Sequence, residues 1–141
     1  MNKKESRKKS DAAVTPDEEL DFELHFIEAI LKRKPDFIEA LIVLGDLYTK
    51  KGFYQKGLEI DQRLQQLRPD DPTIFYNLAC SYSLVNNLDE ALAAIKRSIE
   101  NGYEDFNHLE WDGDLHNLRQ DARFQKFLSS LKNKKTSKVK S

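Results

Sequence analysis

The sequence predicts an all-α fold of stacked helical hairpins, and two patterns in its 141 residues lead to this prediction. Through residues 20–131, apolar residues recur three and four positions apart, which is the spacing of one face of an α-helix. The chain also matches itself when it is aligned with a shifted copy in which Leu41 falls on Phe75 and every later residue has the same offset. This match indicates an internal repeat. Size and polarity agree at the pairs Leu41/Phe75, Leu44/Leu78, Gly45/Ala79, Tyr48/Tyr82, Tyr54/Leu88, Gly57/Ala91 and Leu58/Leu92.

The helices follow in order from this pattern. A first helix is expected over residues 20–33, and Pro35 ends it; Pro69 stands one repeat later at the equivalent place. The repeat then predicts two hairpins and the carboxyl-terminal end a last helix, at residues 37–50 with 54–67, 71–85 with 88–101, and about 121–131. The small residues of each hairpin, Gly45 with Gly57 and Ala79 with Ala91, should let its two helices approach closely.

Composition limits the classes that remain. With 39% hydrophobic and 10% aromatic residues, the chain can form one hydrophobic core. The single cysteine, Cys80, excludes an internal disulfide and a cysteine-based zinc cluster, since each needs a second thiol. No apolar run approaches the roughly 20 residues that span a bilayer, and the basic start has no hydrophobic stretch behind it. We therefore expect a cytoplasmic protein without membrane insertion.

The repeat resembles the tetratricopeptide repeat (TPR) family. Its first copy reads Leu41-x-x-Leu44-Gly45-x-x-Tyr48 with Gly57 and Pro69, and its second Phe75-x-x-Leu78-Ala79-x-x-Tyr82 with Ala91 and Ile95. Two positions depart from the family pattern. Asp61 stands where the first copy should have a bulky residue, and Tyr103 replaces the closing proline of the second.

The resemblance implies a right-handed superhelix over residues 17–131, with repeats at 38–71 and 72–105, a lone amino-terminal helix and a cap at 106–131. This cap is similar to the segment that closes many bacterial TPR arrays, and stacked repeats need such caps because their terminal faces are apolar. Residues expected on its buried side are Phe106, Leu109, Trp111, Leu115, Leu118, Phe124, Phe127 and Leu128.

Charge is segregated along the chain. Residues 1–10 carry a net charge of +4 and residues 132–141 of +5, which leaves −10 for the rest. Neither end has an apolar pattern, so we expect disordered tails at residues 1–16 and 132–141. Such tails keep a protein soluble or bind nucleic acid weakly, and an acidic body argues against a nucleic-acid groove.

No pattern of a catalytic site is present, so we expect a protein that is not an enzyme and has no cofactor. The nearest approach to a metal site is the group His108, Glu110, Asp112, Asp114 and His116, whose spacing fits no calcium loop. We interpret it as a solvated turn in which an aspartate caps a helix.

The family resemblance implies that the protein binds a partner peptide or helix in a groove lined by the first helix of each hairpin. On these helices the stripes are Ile42, Asp46, Thr49 and, one repeat on, Tyr76, Cys80, Ser83. Cys80 is either an accessible thiol in this groove or a small apolar residue. The Lys and Asn residues with which some family members grip a peptide carboxylate are absent apart from Asn77. Such a groove should prefer an apolar or basic segment.

The first helix carries two apolar stripes, which implies two neighbours. Leu20, Leu24, Ile27 and Leu31 suit packing on the next hairpin, and Phe22, Phe26 and Ile30 form the other stripe. Exposed apolar surface is costly, so Phe22 and Phe26 predict self-association into a homodimer. The alternative is that these two phenylalanines pack, half-exposed, on their own hairpin.

Overall fold

A computed structural model of the protein describes residues 13–140, with side chains described from residue 13 through residue 134. Within that part the chain is all-α, as predicted, and it forms eight α-helices, one 3-10 helix and no strand. The α-helices are α1 (Pro16–Arg33), α2 (Ile38–Lys50), α3 (Tyr54–Leu67), α4 (Pro72–Leu84), α5 (Leu88–Glu100), α6 (His108–Trp111), α7 (His116–Arg119) and α8 (Ala122–Lys140), with the 3-10 helix at Gly113–Leu115. The basic amino-terminal segment, residues 1–12, lies outside the described residues. Across residues 13–140, no helix is both long enough and apolar enough to cross a membrane.

Helix α1 begins at Pro16, four residues before its predicted start. Thr15 caps it: the Thr15 hydroxyl accepts a hydrogen bond from the Glu18 N–H, and the Glu18 carboxylate accepts one from the Thr15 N–H. This capping box satisfies two N–H groups that a helix start otherwise leaves unpaired, and proline at the first helical position fits the same geometry. Residue 16, expected in a disordered tail, is therefore helical.

The inward stripe of α1 packs as predicted. Leu24 forms a buried cluster with Leu44 and Leu47 of α2, and the other stripe residues Leu20, Ile27 and Leu31 pack around it. An ion pair reinforces this contact, because the Lys51 ammonium lies 2.5 Å from Asp17 and 2.8 Å from Asp21. The lone first helix is thus fastened to the first hairpin.

The two predicted hairpins, α2 with α3 and α4 with α5, begin and end within one residue of their predicted bounds. Their turns are alike. Gly52 and Asn86, at equivalent positions of the two copies, both have positive φ, at 82° and 63°. After each, an N–H bonds back to a helix carbonyl, Phe53 to Tyr48 and Asn87 to Tyr82. This is the Schellman ending of a helix, in which a residue of left-handed conformation satisfies the last carbonyl groups.

The close approach of α2 and α3 is confirmed at the two glycines. A Cβ atom on Gly57 would lie 3.5 Å from the Gly45 carbonyl oxygen and 3.1 Å from the Thr49 hydroxyl. In the second hairpin the equivalent residues, Ala79 and Ala91, are fully buried in the main core. Small residues therefore line the close contact of the first hairpin, and their equivalents in the second hairpin lie in its core.

The carboxyl-terminal cap is buried against α4 and α5. Leu109, Leu115, Leu118 and Phe124 are fully buried, and Phe106, Phe127 and Leu128 pack partly buried against the same core. Trp111 corrects the prediction, because it is 68% exposed instead of lying in the cap's core. It is the last residue of the one-turn helix α6, where Leu109 already takes the inward position.

Helix α8 runs to Lys140, past its predicted end at Leu131. Residues 132–140, expected in a disordered tail, are thus helical in the structure, and residue 141 lies outside the described part. Lysine is a good helix former, and no glycine or proline follows residue 131 to end the helix.

Candidate protein-binding groove

A concave cavity of about 370 Å³ opens where α2, α3, α4 and the cap meet; we call it the groove cavity. Its lining combines apolar, aromatic and acidic side chains with one thiol. The lining residues are Ile42, Val43, Gly45, Asp46, Thr49, Asp61, Tyr76, Asn77, Cys80, Ser81, His108, Asp112 and Asp114. This volume suits a side chain or a short ligand segment.

Five of the six groove residues named from the sequence line this cavity. Ile42, Asp46 and Thr49 come from one face of α2, and Tyr76 and Cys80 from the equivalent face of α4. The spacing of three and four residues places each set along one side of its helix. The structure therefore brings equivalent residues of the two copies to one surface.

Ser83, the sixth, is not part of the groove, and its exposed fraction is 0%. Its hydroxyl accepts a hydrogen bond from the Leu118 N–H at 3.1 Å, and its carbonyl accepts one from the Asn117 side chain. Helix α7 of the cap covers this turn of α4, whereas the equivalent Thr49 has no such cover. Ser83 joins the second hairpin to the cap.

Asp61 is a groove residue that the sequence stripes missed. It lies on α3, is 6% exposed, and accepts a hydrogen bond of 2.5 Å from the Ser81 hydroxyl on α4. Burial raises the pKa of Asp61 from 3.8 to about 6; the Ser81 hydrogen bond opposes this shift and the nearby Asp46 adds to it. The available signal was its place in the repeat, where a carboxylate replaces a bulky residue.

One wall of the groove cavity is aromatic. The buried Tyr76 ring stacks on Tyr103, with 4.6 Å between ring centroids, and the His108 ring lies 5.6 Å from it. The Tyr76 hydroxyl donates a hydrogen bond to Asp112, whose carboxylate is 3.0 Å from His108 Nε2. The exposed Trp111 ring meets the His108 ring edge-on, with 4.6 Å between ring centroids. Aromatic rings thus lead from the core to the surface beside the groove.

The cavity is also acidic, because Asp46, Asp61, Asp112 and Asp114 line it. Asp46 pairs with Lys50 at 2.9 Å and Asp112 with His108. Within the described residues, Asp61 and Asp114 have no ion-pair partner. Burial raises the pKa of Asp114, and the Asp112 and Asp46 carboxylates raise it further.

Cys80 lines the cavity but is 7% exposed. Burial, followed by the Asp112 and Asp114 carboxylates, raises the pKa of its thiol. A thiol in such surroundings stays protonated at neutral pH and is a poor nucleophile. Its packing in the main core favours the interpretation as a small apolar residue.

Asp112 has the capping role expected of this turn, since its carboxylate accepts a hydrogen bond from the Asp114 N–H at 3.0 Å. Among the described residues, no three His, Cys, Asp or Glu side chains are placed to hold a metal ion. Glu110 of the suspected group turns away to pair with Lys132.

The second apolar stripe of α1 is open. Phe22 is 74% exposed and Phe26 is 60% exposed, and Val14, ahead of the helix, is exposed as well. Both phenylalanines thus leave most of their surface uncovered within the chain. Val14 and Phe22 line a shallow depression together with Glu18, Glu19 and Glu23.

Comparison with known proteins gives a partial relationship. No protein-family model matches the chain. Over 93 residues the chain is 33% identical to a protein of Arabidopsis thaliana that is named as chloroplastic. The match covers 62% of this chain and 27% of the relative, so the chain spans about a quarter of that protein's length. The chain is therefore similar to one segment of a longer plant protein. This relative gives no support to the bacterial origin that the sequence of the cap suggests.

Proposed function

We propose that this protein is a non-enzymatic binding module that holds a peptide or helix of a partner protein in the groove cavity. The observation that carries the proposal is that equivalent faces of α2 and α4 line one concave surface. Ile42 and Val43 are 39% and 40% exposed at this surface, so they are available to an apolar part of the partner. The four carboxylates favour a partner segment with basic residues.

We also infer that the fold is of the TPR type, a right-handed superhelix of two repeats with a lone first helix and a cap. The matching helix endings at equivalent positions of the two copies support this inference, as do the paired small residues at the helix crossing. The cytoplasmic location stays a prediction, since the relative is named as chloroplastic. A nucleic-acid role for the basic ends finds no support in the acidic groove.

Exchange of one groove residue tests the binding proposal. Ile42→Asp should abolish retention of a groove partner, because it puts a charge where apolar contact is needed. Tyr76 is unsuitable for this purpose, since it is buried and bonded to the cap. Leu67→Asp is the matched control, because Leu67 is 37% exposed and lies outside the cavity.

The measurement is affinity capture from native extract, followed by titration of the purified partner by calorimetry. A partner lost with Ile42→Asp and kept with Leu67→Asp supports the groove. Equal retention by both variants would show that binding occurs elsewhere. Removal of residues 1–10 and 132–141 should leave partner binding intact, and loss of binding in a truncated chain that keeps its helix content would show that the basic ends hold the partner.

A second role, self-association through α1, is favoured by the exposure of Phe22 and Phe26. The two roles are compatible, because α1 presents this stripe on the side away from its contact with α2.

A further inference from the structure

Two carboxylates of the groove cavity, those of Asp61 and Asp114, have oxygens that accept no hydrogen bond from the described residues. Asp61 is 6% exposed, and its Oδ2 accepts the Ser81 hydrogen bond while its Oδ1 accepts none from the described residues. Asp114 is half-buried and its carboxylate has no hydrogen-bond or ion-pair partner in that part of the chain. Among the described residues no side-chain oxygen is both fully buried and unpaired, so these oxygens reach the cavity and are open to a donor that enters there.

Gly45 keeps the Asp61 carboxylate open to the cavity. A Cβ atom at this position would lie 3.1 Å from Asp61 Oδ1, closer than ordinary contact. Any side chain here would crowd that oxygen, whereas glycine leaves it accessible to a group entering from the groove. The equivalent position in the second hairpin is alanine, and the residue matching Asp61 is Ile95. Of the two hairpins, therefore, only the first has this opening.

The rest of the lining suits the stem of a long side chain. Ile42 and the ring of Tyr76 supply apolar surface, and Asp61 and Asp114 supply negative charge in the same cavity. Lysine and arginine combine an aliphatic stem with a cationic head, which matches this distribution. A divalent metal is less suitable, since no three potential ligands among the described residues converge.

We propose that the groove cavity is the seat of one positively charged side chain, lysine or arginine, of the bound partner segment. Its stem lies along Ile42 and Tyr76, and its head donates a hydrogen bond to Asp61 while Asp114 adds negative charge to the same cavity. This inference rests on the proposed function and names the feature that the partner must have.

The electrostatics of the cavity agree with this assignment. Burial raises the pKa of Asp61 and of Asp114, as it does where no cation stabilises the charged form. Both carboxylates line the groove cavity beside Cys80, and both raise the pKa of its thiol. An entering cation would offset the repulsion among these groups.

Small probes of the side chains test the seat without knowledge of the partner. The probes are the N-acetyl amides of arginine and lysine, and those of the neutral analogues citrulline and norleucine. Each is titrated into the full chain at pH 7.5 and low salt while backbone amide NMR signals are followed. We expect saturable shifts at Gly45 and Asp61 with the two cationic probes. Affinity for the neutral analogues should be at least about tenfold weaker, since hydrogen bonds to charged groups are the stronger ones.

Matched variants locate the effect. The double variant Asp61→Asn, Asp114→Asn removes charge at constant shape and should weaken binding of the arginine probe at least about tenfold. Asp70→Asn makes the same change in the exposed turn before α4 and should bind like the wild type. Equal shifts with the arginine and citrulline probes, or equal binding by the double variant, would overturn the proposal.

Two further outcomes separate this inference from the proposed function. If deletion of residues 1–12 shifts Gly45 and Asp61 with no probe present, the chain's own basic end occupies the seat, and the proposal is overturned. If a captured partner is lost with Ile42→Asp but kept with the double variant, the groove binds protein without a cation seat. If both variants keep the partner, the proposed function itself fails.

Discussion

Asp61 holds a carboxylate at a helix contact where the second hairpin has the fully buried Ile95. Ser81 donates one hydrogen bond to it, and Asp46 lies near enough to disfavour its charge. A well-packed apolar residue would be the stable choice at such a place. Destabilising groups of this kind are common where a protein binds something, because activity and stability compete there.

Asp61→Asn should therefore stabilise the protein at neutral pH. Because the pKa of Asp61 is raised to about 6 in the folded chain, the folded state holds a proton that the unfolded state has released between pH 3.8 and 6. Stability thus falls as pH rises through this window, by up to about 3 kcal/mol. Asparagine does not titrate, so the free energy of unfolding of the variant should rise relative to that of the wild type as pH increases.

Urea unfolding at pH 4 and at pH 7.5 measures this effect, with Asp70→Asn as the control of equal chemistry. The gain should be small at pH 4 and close to its full size at pH 7.5. A difference between wild type and Asp61→Asn that is the same at both pH values would contradict the raised pKa.

Ser83→Ala should destabilise the cap. The Ser83 hydroxyl accepts a hydrogen bond from Leu118, whose N–H belongs to the first turn of α7 and has no partner within that helix. Alanine leaves the N–H buried and unpaired, at a cost of about 1–3 kcal/mol. Thermal unfolding by calorimetry gives the value, and Ser130→Ala on the exposed face of α8 should change stability little. A loss of stability equal to that of Ser130→Ala would show that the Ser83 hydroxyl does not hold the cap in place.

The sequence predicts which side chains share a surface where helical spacing alone decides which way a side chain points. Ile42, Asp46 and Thr49 lie together because they share a face of α2. Ser83 and Trp111 were misplaced because their surroundings depend on how the cap folds back over α4, and the repeat contains no information on that contact. Asp61, His108 and Asp114 reach the cavity through the same long-range packing.

At the scale of elements, local signals located the helices well. Pro35 and Pro69 end helices, Asp71 caps α4 by accepting from the Thr73 and Ile74 N–H groups, and both hairpins appear at their predicted places. The end of α8 was missed because a run of lysines was taken as a sign of disorder. Charge lowers the drive to bury a segment, but it does not prevent continuation of an existing helix.

Gly57→Leu should separate α2 from α3. A larger side chain at this position meets the Gly45 carbonyl oxygen and the Thr49 hydroxyl, both fixed in α2. Overpacking of this kind costs about 1–3 kcal/mol. Gly113→Leu is the control, because nothing lies within 4 Å of a Cβ atom there. Urea unfolding should give a clearly lower free energy of unfolding for Gly57→Leu than for Gly113→Leu. Equal free energies would mean that the glycines do not set the separation of α2 and α3.

At the scale of the whole molecule, the two ends of the helix stack differ. The cap covers the second hairpin with Leu109, Leu115 and Leu118, all fully buried. At the other end α1 covers the first hairpin with one stripe and presents Phe22 and Phe26 outward. Apolar surface of this kind is a usual site of contact between copies.

Sedimentation velocity over a range of concentrations tests self-association at the α1 end. The wild type should form dimers as concentration rises, and Phe22→Asp, Phe26→Asp should stay monomeric with unchanged helix content, since both side chains are exposed. Trp111→Asp at the opposite end is the control and should associate like the wild type. A wild type that stays monomeric at high concentration would contradict the prediction.

The closed cap also limits how far such an assembly could grow. Two chains that meet through their α1 stripes use the same patch on both sides, which makes a two-fold symmetric pair. Each pair then turns its capped ends outward, where Leu109, Leu115 and Leu118 are fully buried and unavailable to a third chain. Joining would stop at two copies, and the paired grooves would be carried as a bivalent unit able to hold two basic segments of one target at once.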